Sequence, residues 1–281
     1  MKYIALLRPQ QWYKNLLVFL ALVFSRNLMN ISALEQAAIA FLSFCALSSA
    51  TYIINDYADR NKDRLNPEKI NRPLASGKIS VLTALGIALI LIITGFGTAF
   101  LLPTSFLYAA LAYFVLSQLY TAWLKYEAFA DILVIATNFV IRAMAGAFAI
   151  DVPISPWLIL GVFFLALFLL LGKRRSEIML LKEKAILHRK TLDTYSIEIV
   201  ARLSSIATAA LVLSYTLFVF FGQHHLLYIT LPIALYAIFR YDGLISSGSK
   251  IARHPEYAFA DKKIIFAMLL WGALTVGVLY F

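Results

Sequence analysis

Apolar residues run along this chain in stretches of about twenty, each near the length a helix needs to cross a hydrocarbon layer of about 30 Å. The stretches cover residues 12–28, 33–56, 80–102, 105–124, 128–150, 155–173, 195–221, 224–241 and 260–281. The pattern predicts an all-α, polytopic membrane protein of about nine transmembrane helices, in a single integral-membrane domain over residues 1–281. Residues 1–11 set Lys2 and Arg8 among Ile4, Leu6 and Leu7, and read as an interfacial helix leading into the first span. No small-residue cleavage site follows an isolated apolar stretch, so the first span is expected to be retained.

The polar connections alternate in charge. The connection after the second stretch carries Arg60, Lys62, Arg64, Lys69, Arg72 and Lys78, and the one after the fourth carries Lys125. The one after the sixth carries Lys173, Arg174, Arg175, Lys182, Lys184, Arg189 and Lys190, and the one after the eighth Lys250 and Arg253. On the opposite side the sole Lys or Arg is Arg26. This asymmetry predicts that the N-terminus and the charged connections face the cytoplasm, with the chain in the cell (inner) membrane. The two longest charged connections, 57–79 and 174–194, lie four spans apart and are the candidate active-site loops. Their spacing hints at a duplicated four-helix unit.

Composition narrows the classes further. The chain is 62% hydrophobic and 14% charged, with a mean hydropathy of +0.80. A soluble domain is near half apolar and about a quarter charged. The net charge of +10 matches the loop bias, so nucleic acid is not an expected partner. Cys45 is the single cysteine, which excludes an intramolecular disulfide. His224 and His225 are adjacent in an expected external loop, and His188 and His254 stand alone, so a zinc site is not expected.

The densest chemistry is Asn55-Asp56-Tyr57-Ala58-Asp59-Arg60-Asn61-Lys62-Asp63. If the second helix continues, Asp56, Asp59 and Asp63 fall on one face, with Asn55 at its edge. Three carboxylates in two turns repel one another, and negative charge is unfavourable near a helix C-terminus. Oxygen ligands of this kind suit Mg²⁺, which completes its shell with water and phosphate. The plainer alternative is a solvated segment paired with Arg60, Lys62 and Arg64. Downstream, Pro67, Pro73 and Gly77 shape a loop that brings Lys69 and Arg72 near the carboxylates. Arg suits bidentate phosphate contacts and Lys acts as a point charge, although both also fit ordinary loop bias.

Other charges carry weight by position. Arg142 lies well inside the fifth stretch, where a guanidinium usually faces a cavity or a partner. Asp131 and Asp151 sit near opposite ends of the same stretch, so a phosphate in a cavity is the more fitting partner. Lys14, beside Trp12 and Tyr13, is either an interfacial anchor or a phosphate ligand. Lys173 and Arg174 stand four and three residues before Glu177, a spacing that also suits a surface ion-pair network. Read functionally, the cluster captures a second phosphate, with Glu177 orienting a sugar hydroxyl or assisting the metal.

Together these segments resemble the UbiA superfamily of membrane prenyltransferases. Its first motif reads Asn-Asp-x-x-Asp-x-x-x-Asp, followed by Lys and an Arg-Pro pair before a Ser-Gly turn, and all are present between Asn55 and Gly77. Tyr120 and Lys125 match the family's tyrosine–lysine element. The resemblance implies a nine-helix fold with a cytoplasm-facing cavity, and metal ligation by Asp56, Asp59 and Asp63. At the second motif the chain departs from most of the family. A second aspartate cluster is replaced by Gly172-Lys173-Arg174-Arg175-Ser176-Glu177.

That departure resembles the phosphoribosyltransferase branch acting on decaprenyl-phosphate-like lipids. Further matches are Arg8-Pro9-Gln10-Gln11-Trp12-Tyr13-Lys14-Asn15, Ile141-Arg142-Ala143-Met144-Ala145-Gly146, Arg189-Lys190 with Tyr195, and Pro255-Glu256 with Asp261. The branch implies transfer of 5-phosphoribosyl from phosphoribosyl pyrophosphate to a polyprenyl phosphate, releasing pyrophosphate, as in making an arabinose donor for cell-wall polymers. Asp56, Asp59 and Glu177 would be catalytic. Lys14, Asn55, Lys69, Arg72, Tyr120, Lys125, Arg142, Lys173, Arg174, Arg189 and Lys190 would bind substrate. The bilayer is a partner, and a homo-oligomer is left open. The alternative within the superfamily is prenyl transfer from a prenyl diphosphate to an aromatic or glycerol-phosphate acceptor. A transporter or lipid scaffold is disfavoured, because no charged path crosses the spans.

Overall fold

The structure, a computed structural model, describes residues 2–181, 195–222, 225–247, 249 and 261–281. The described residues form helices and turns, with no strand among them. In chain order the helices are α1 (Lys2–Leu7), α2 (Phe19–Phe24), α3 (Ile31–Asp63), α4 (Val81–Ala99) and α5 (Thr104–Ala122). They continue as α6 (Ala130–Ala149), α7 (Pro156–Leu181), α8 (Ile197–Phe221), α9 (Leu231–Ser246) and α10 (Lys262–Tyr280). Among the described residues, 8 helical segments are long and apolar enough to cross a membrane. They correspond to the second to ninth expected spans, so the chain is an all-helical, multi-pass membrane protein.

The expected span 12–28 takes another form. A 3-10 segment, Pro9–Val18, runs into the short helix α2. Arg8, just before it, is in the left-handed region (φ 52°, ψ 56°), and Pro9 opens the segment. Irregular backbone at membrane depth is tolerated where protein packs against it, and here α3 contributes Ser49 Oγ, which donates to the Leu7 carbonyl at 2.9 Å, and side-chain partners for the segment. Trp12 Nε1 donates to Ser49 Oγ at 3.0 Å, and Asn15 Nδ2 donates to Ser48 Oγ at 3.2 Å.

Two helices extend past their expected ends. α3 is 33 residues long, about 50 Å at 1.5 Å per residue, so its polar end overshoots an apolar slab of about 30 Å. Residues 57–63 are therefore helical rather than loop, with Arg60 and Lys62 in the last turn, where cations suit the helix dipole. α7 likewise carries Lys173, Arg174 and Glu177 as helix, where a loop beginning at residue 174 was expected.

The chain divides into two compact units, Met1–Lys125 with Ile141–Pro153, and Tyr126–Val140 with Ile154–Phe281. In the first, α3 packs on α4 through small residues. Ala37, Ala40 and Ser43 are buried on α3, and Ala84, Ala88 and Gly95 on α4. Small residues let membrane helices approach closely where burial against lipid gives little drive. Ser43 Oγ donates to the Gly95 carbonyl at 2.7 Å, and a Cβ at Gly95 would lie 2.7 Å from Leu47 Cγ. Leu82, Leu89, Ile90 and Ile93 on the same helix remain exposed, as lipid-facing residues can. A Cβ at Gly146 of α6 would fall on the carbonyl of Val18.

In the second unit, α7 and α8 share a core of Ala166, Leu167, Leu171, Val200 and Ala207. α9 and α10 join α7 through Phe168, Tyr241, Ile245 and Ile264. Helix starts are capped by side chains: Ser80 for α4, Ser196 for α8 and Asp261 for α10.

Gly146→Val places two methyl groups against a backbone carbonyl, so it should destabilise the protein by about 1–3 kcal/mol or more. Gly97→Ala, with open space around its Cβ, should leave stability unchanged. Thermal unfolding in detergent compares the two, and equal midpoints would remove the proposed close approach.

Candidate functional site

In the first unit the acidic motif lies on the last turns of α3. Asp56 and Asp63 are buried, with side chains 3% and 4% exposed, while Asp59 is 20% exposed. Burying a carboxylate is costly unless it is paired, and here each one is. Arg8 Nη2 donates to both oxygens of Asp56, at 2.6 and 2.8 Å. Arg72 Nη1 donates to Asp56 Oδ1 at 3.1 Å and to Asp63 Oδ2 at 2.7 Å. Lys69 Nζ lies 3.9 Å from Asp63 Oδ1. Lys125 Nζ donates to Asp59 Oδ1 at 2.7 Å and to Asn55 Oδ1 at 3.3 Å.

The local sequence explains how these cations arrive. Leu74 and Ile79 join Leu6, Ile53, Ala84 and Ala88 in a buried cluster. That anchors the loop after α3 and turns Arg72, two residues before Leu74, back onto the helix. Arg64 Nε donates to the Ala75 carbonyl at 3.0 Å, and Gly77 takes a φ of 72° that closes the turn. Arg8 is aimed by its left-handed backbone, and its guanidinium lies 5.5 Å from the centroid of Tyr52. Lys125 sits in the 3-10 turn Leu124–Tyr126 after α5, just beyond Tyr120 in that helix.

Among the described residues, no group of three His, Cys, Asp or Glu side chains gathers as a metal cage. Asp56 and Asp63 converge on one Arg72 nitrogen, while Asp59 turns to Lys125. The donor set nonetheless fits a hard cation. Two buried carboxylates already share one positive centre, and their oxygens are the ligands such an ion prefers.

Arg142 has neutral groups as hydrogen-bond partners in this unit. Its Nε donates to Asn15 Oδ1 at 2.8 Å, and its Nη2 donates to Tyr113 Oη at 3.0 Å. It is 4% exposed. This ties the 3-10 segment to α6 and α5, a tethering role that sequence position did not reveal. Lys14 lies 5.8 Å from the ring centroid of Tyr13.

The second unit holds a separate buried network. Arg174 Nη2 donates to Asp131 Oδ2 at 3.0 Å, and its Nη1 donates to Glu177 Oε2 at 2.7 Å. Tyr195 Oη donates to Asp131 Oδ1 at 2.8 Å and accepts from the Phe129 N–H at 2.8 Å. Burial and the neighbouring Asp131 carboxylate raise the Tyr195 pKa, so the phenol stays protonated and keeps donating. Phe129 is held at a φ of 66°. Arg174, a candidate phosphate ligand, is here the counter-ion of a fully buried acid. Lys173 is half-buried beside it. Asp261 caps α10 and pairs with Arg240 at 2.8 Å, a bond that holds its carboxyl below the usual range. Arg189, Lys190, Pro255 and Glu256 lie outside the described residues.

Sequence reasoning missed Arg8 as a partner of Asp56, and Asp131 as the partner of both Arg174 and Tyr195. The pairs are 48, 43 and 64 residues apart. Only the match of Arg8 and Tyr195 to known motifs offered a signal.

Residues 15–260 match the UbiA prenyltransferase family. The chain is similar to decaprenyl-phosphate phosphoribosyltransferase of Corynebacterium glutamicum, at 33% identity over 98% of this chain and 85% of that one. It is similar to the enzyme of the same name from Mycolicibacterium smegmatis, at 31% identity over 98% and 91%. A solved UbiA homolog from Archaeoglobus fulgidus, bound to GPP and Mg²⁺, superposes with a TM-score of 0.78. It is 22% identical, and 100% of this chain and 98% of that one are covered, which is a likeness of fold.

Removing one partner of a buried ion pair typically costs about 3–5 kcal/mol. Arg174→Ala should therefore lower the thermal midpoint in detergent sharply, whether or not substrate is present. An unchanged midpoint would show that this ion pair does not hold the fold.

Proposed function

Because the chain belongs to the UbiA prenyltransferase family, we propose that it is a metal-dependent phosphoribosyltransferase of the membrane. It transfers 5-phosphoribosyl from phosphoribosyl pyrophosphate to a polyprenyl phosphate on the cytoplasmic side and releases pyrophosphate. The observation that carries the reading is the similarity, along nearly the whole chain, to proteins named decaprenyl-phosphate phosphoribosyltransferases. The geometry supports it, because buried carboxylates interleaved with Arg8, Lys69, Arg72 and Lys125 are suited to a polyanionic leaving group.

Asp56 and Asp63 would hold Mg²⁺, with Asp59 and Asn55 completing the array. When bound, the ion supplies charge neutralisation to the departing pyrophosphate. Lys69, Arg72 and Lys125 add positive charge on the same side, and Lys173 is the candidate for a second phosphate group. The attacking lipid phosphate is already an anion at neutral pH, so no general base is required. Its oxygen forms the new bond to the anomeric carbon as the bond to pyrophosphate breaks. The protein then acts mainly by orientation and by fixed charge.

The test is purified protein in detergent with Mg²⁺, labelled phosphoribosyl pyrophosphate and a polyprenyl phosphate. Label should enter an organic-extractable product, stop on chelation of the metal and return on adding Mg²⁺. Asp59→Asn should cut turnover by about 100-fold or more with the fold intact. Product formed only from a prenyl diphosphate and an aromatic acceptor would move the assignment to prenyl transfer.

A further inference from the structure

We propose that Arg72 occupies the divalent-cation position of the acidic motif in the ligand-free protein, so that the metal enters only together with a diphosphate. The proposal deepens the reading above and rests on it. One Arg72 nitrogen lies 3.1 Å from Asp56 Oδ1 and 2.7 Å from Asp63 Oδ2, where an ion bridging these two carboxylates would sit. Arg8 fills the rest of Asp56, touching both of its oxygens.

Charge decides the outcome. Among the described residues, ion pairs set Arg8, Lys69, Arg72 and Lys125 against Asp56, Asp59 and Asp63, four positive charges against three negative. A bare divalent cation approaching this cluster meets net positive charge in a setting where Asp56 and Asp63 are almost fully buried, so repulsion is weakly screened. A metal–diphosphate complex carries net negative charge and meets attraction. It also offers Arg72 new oxygens, for which a guanidinium fork is well suited.

The two arginines differ in freedom. Arg8 is held by a left-handed backbone and by the ring of Tyr52, with its side chain 17% exposed. Arg72 is 25% exposed and comes from a turn. The exchange therefore falls on Arg72, which leaves the carboxylates for the diphosphate while Arg8 stays as the fixed counter-ion. Arg72 is a positioning residue for the metal.

Binding of Mn²⁺, followed by calorimetry and by its paramagnetic signal, tests this on the full chain in detergent with inorganic pyrophosphate as the probe. Wild type should bind Mn²⁺ alone at least about tenfold more weakly than with pyrophosphate. Arg72→Gln should tighten binding of Mn²⁺ alone by about tenfold and erase most of the coupling, and Arg72→Lys, which keeps the charge, should restore weak binding. Wild type binding Mn²⁺ equally well with and without pyrophosphate would overturn the proposal without need of any variant. So would an Arg72→Gln protein, folded by thermal melt, whose affinity for Mn²⁺ alone is unchanged or lower. The measurement uses neither phosphoribosyl pyrophosphate nor lipid. If transfer fails in the turnover assay while this coupling holds, the substrate assignment falls and the exchange stands.

Discussion

Pairing of buried carboxylates with guanidinium groups is the constraint on which the rest of the first unit depends. α3 ends in three aspartates within two turns, an arrangement that would repel itself and oppose the helix dipole if left bare. Arg8 and Arg72 remove both penalties at Asp56 and Asp63, and Lys125 does so at Asp59. Delivering those cations requires much of the surrounding architecture. The left-handed turn at Arg8, the 3-10 segment after it, the Leu74 plug and the turn at Gly77 each set where a positive charge arrives. Strained backbone of this kind is tolerated when surrounding contacts over-determine it.

The second unit repeats the principle with a different outcome. Asp131 is fully buried and is held by Arg174 and the Tyr195 hydroxyl. Here both partners of the pair are almost fully buried. A cation so enclosed ties α6, α7 and the segment before α8 together, whereas Arg72, 25% exposed, is the one proposed to change partners.

Around these networks the helices pack by fit rather than by avoidance of water. In lipid an exposed leucine costs little, so α4 turns Leu82, Leu89 and Ile93 outward and keeps its alanines and Gly95 for α3. Polar anchors such as Ser43 to the Gly95 carbonyl and Arg142 to Asn15 then fix register where the apolar surface cannot.

The sequence by itself determined the membrane class, eight of the spans and the presence of an acidic face near the end of α3. These properties are local: they follow from apolar run length and from a helical repeat of 3.6 residues, which neighbouring positions express directly. The motif between Asn55 and Gly77, and the order of the matches around it, also pointed to the family. Only the tertiary structure decided that the stretch 12–28 forms a 3-10 segment and a short helix, because that depends on hydrogen bonds from Trp12 and Asn15 to α3. It alone decided that Arg8 serves Asp56, that Arg142 holds Asn15 and Tyr113, and that Arg174 is a buried counter-ion. Polar pairs across 43 to 127 residues leave no period in a sequence. Which cation meets which acid is set by the three-dimensional packing that carries them together.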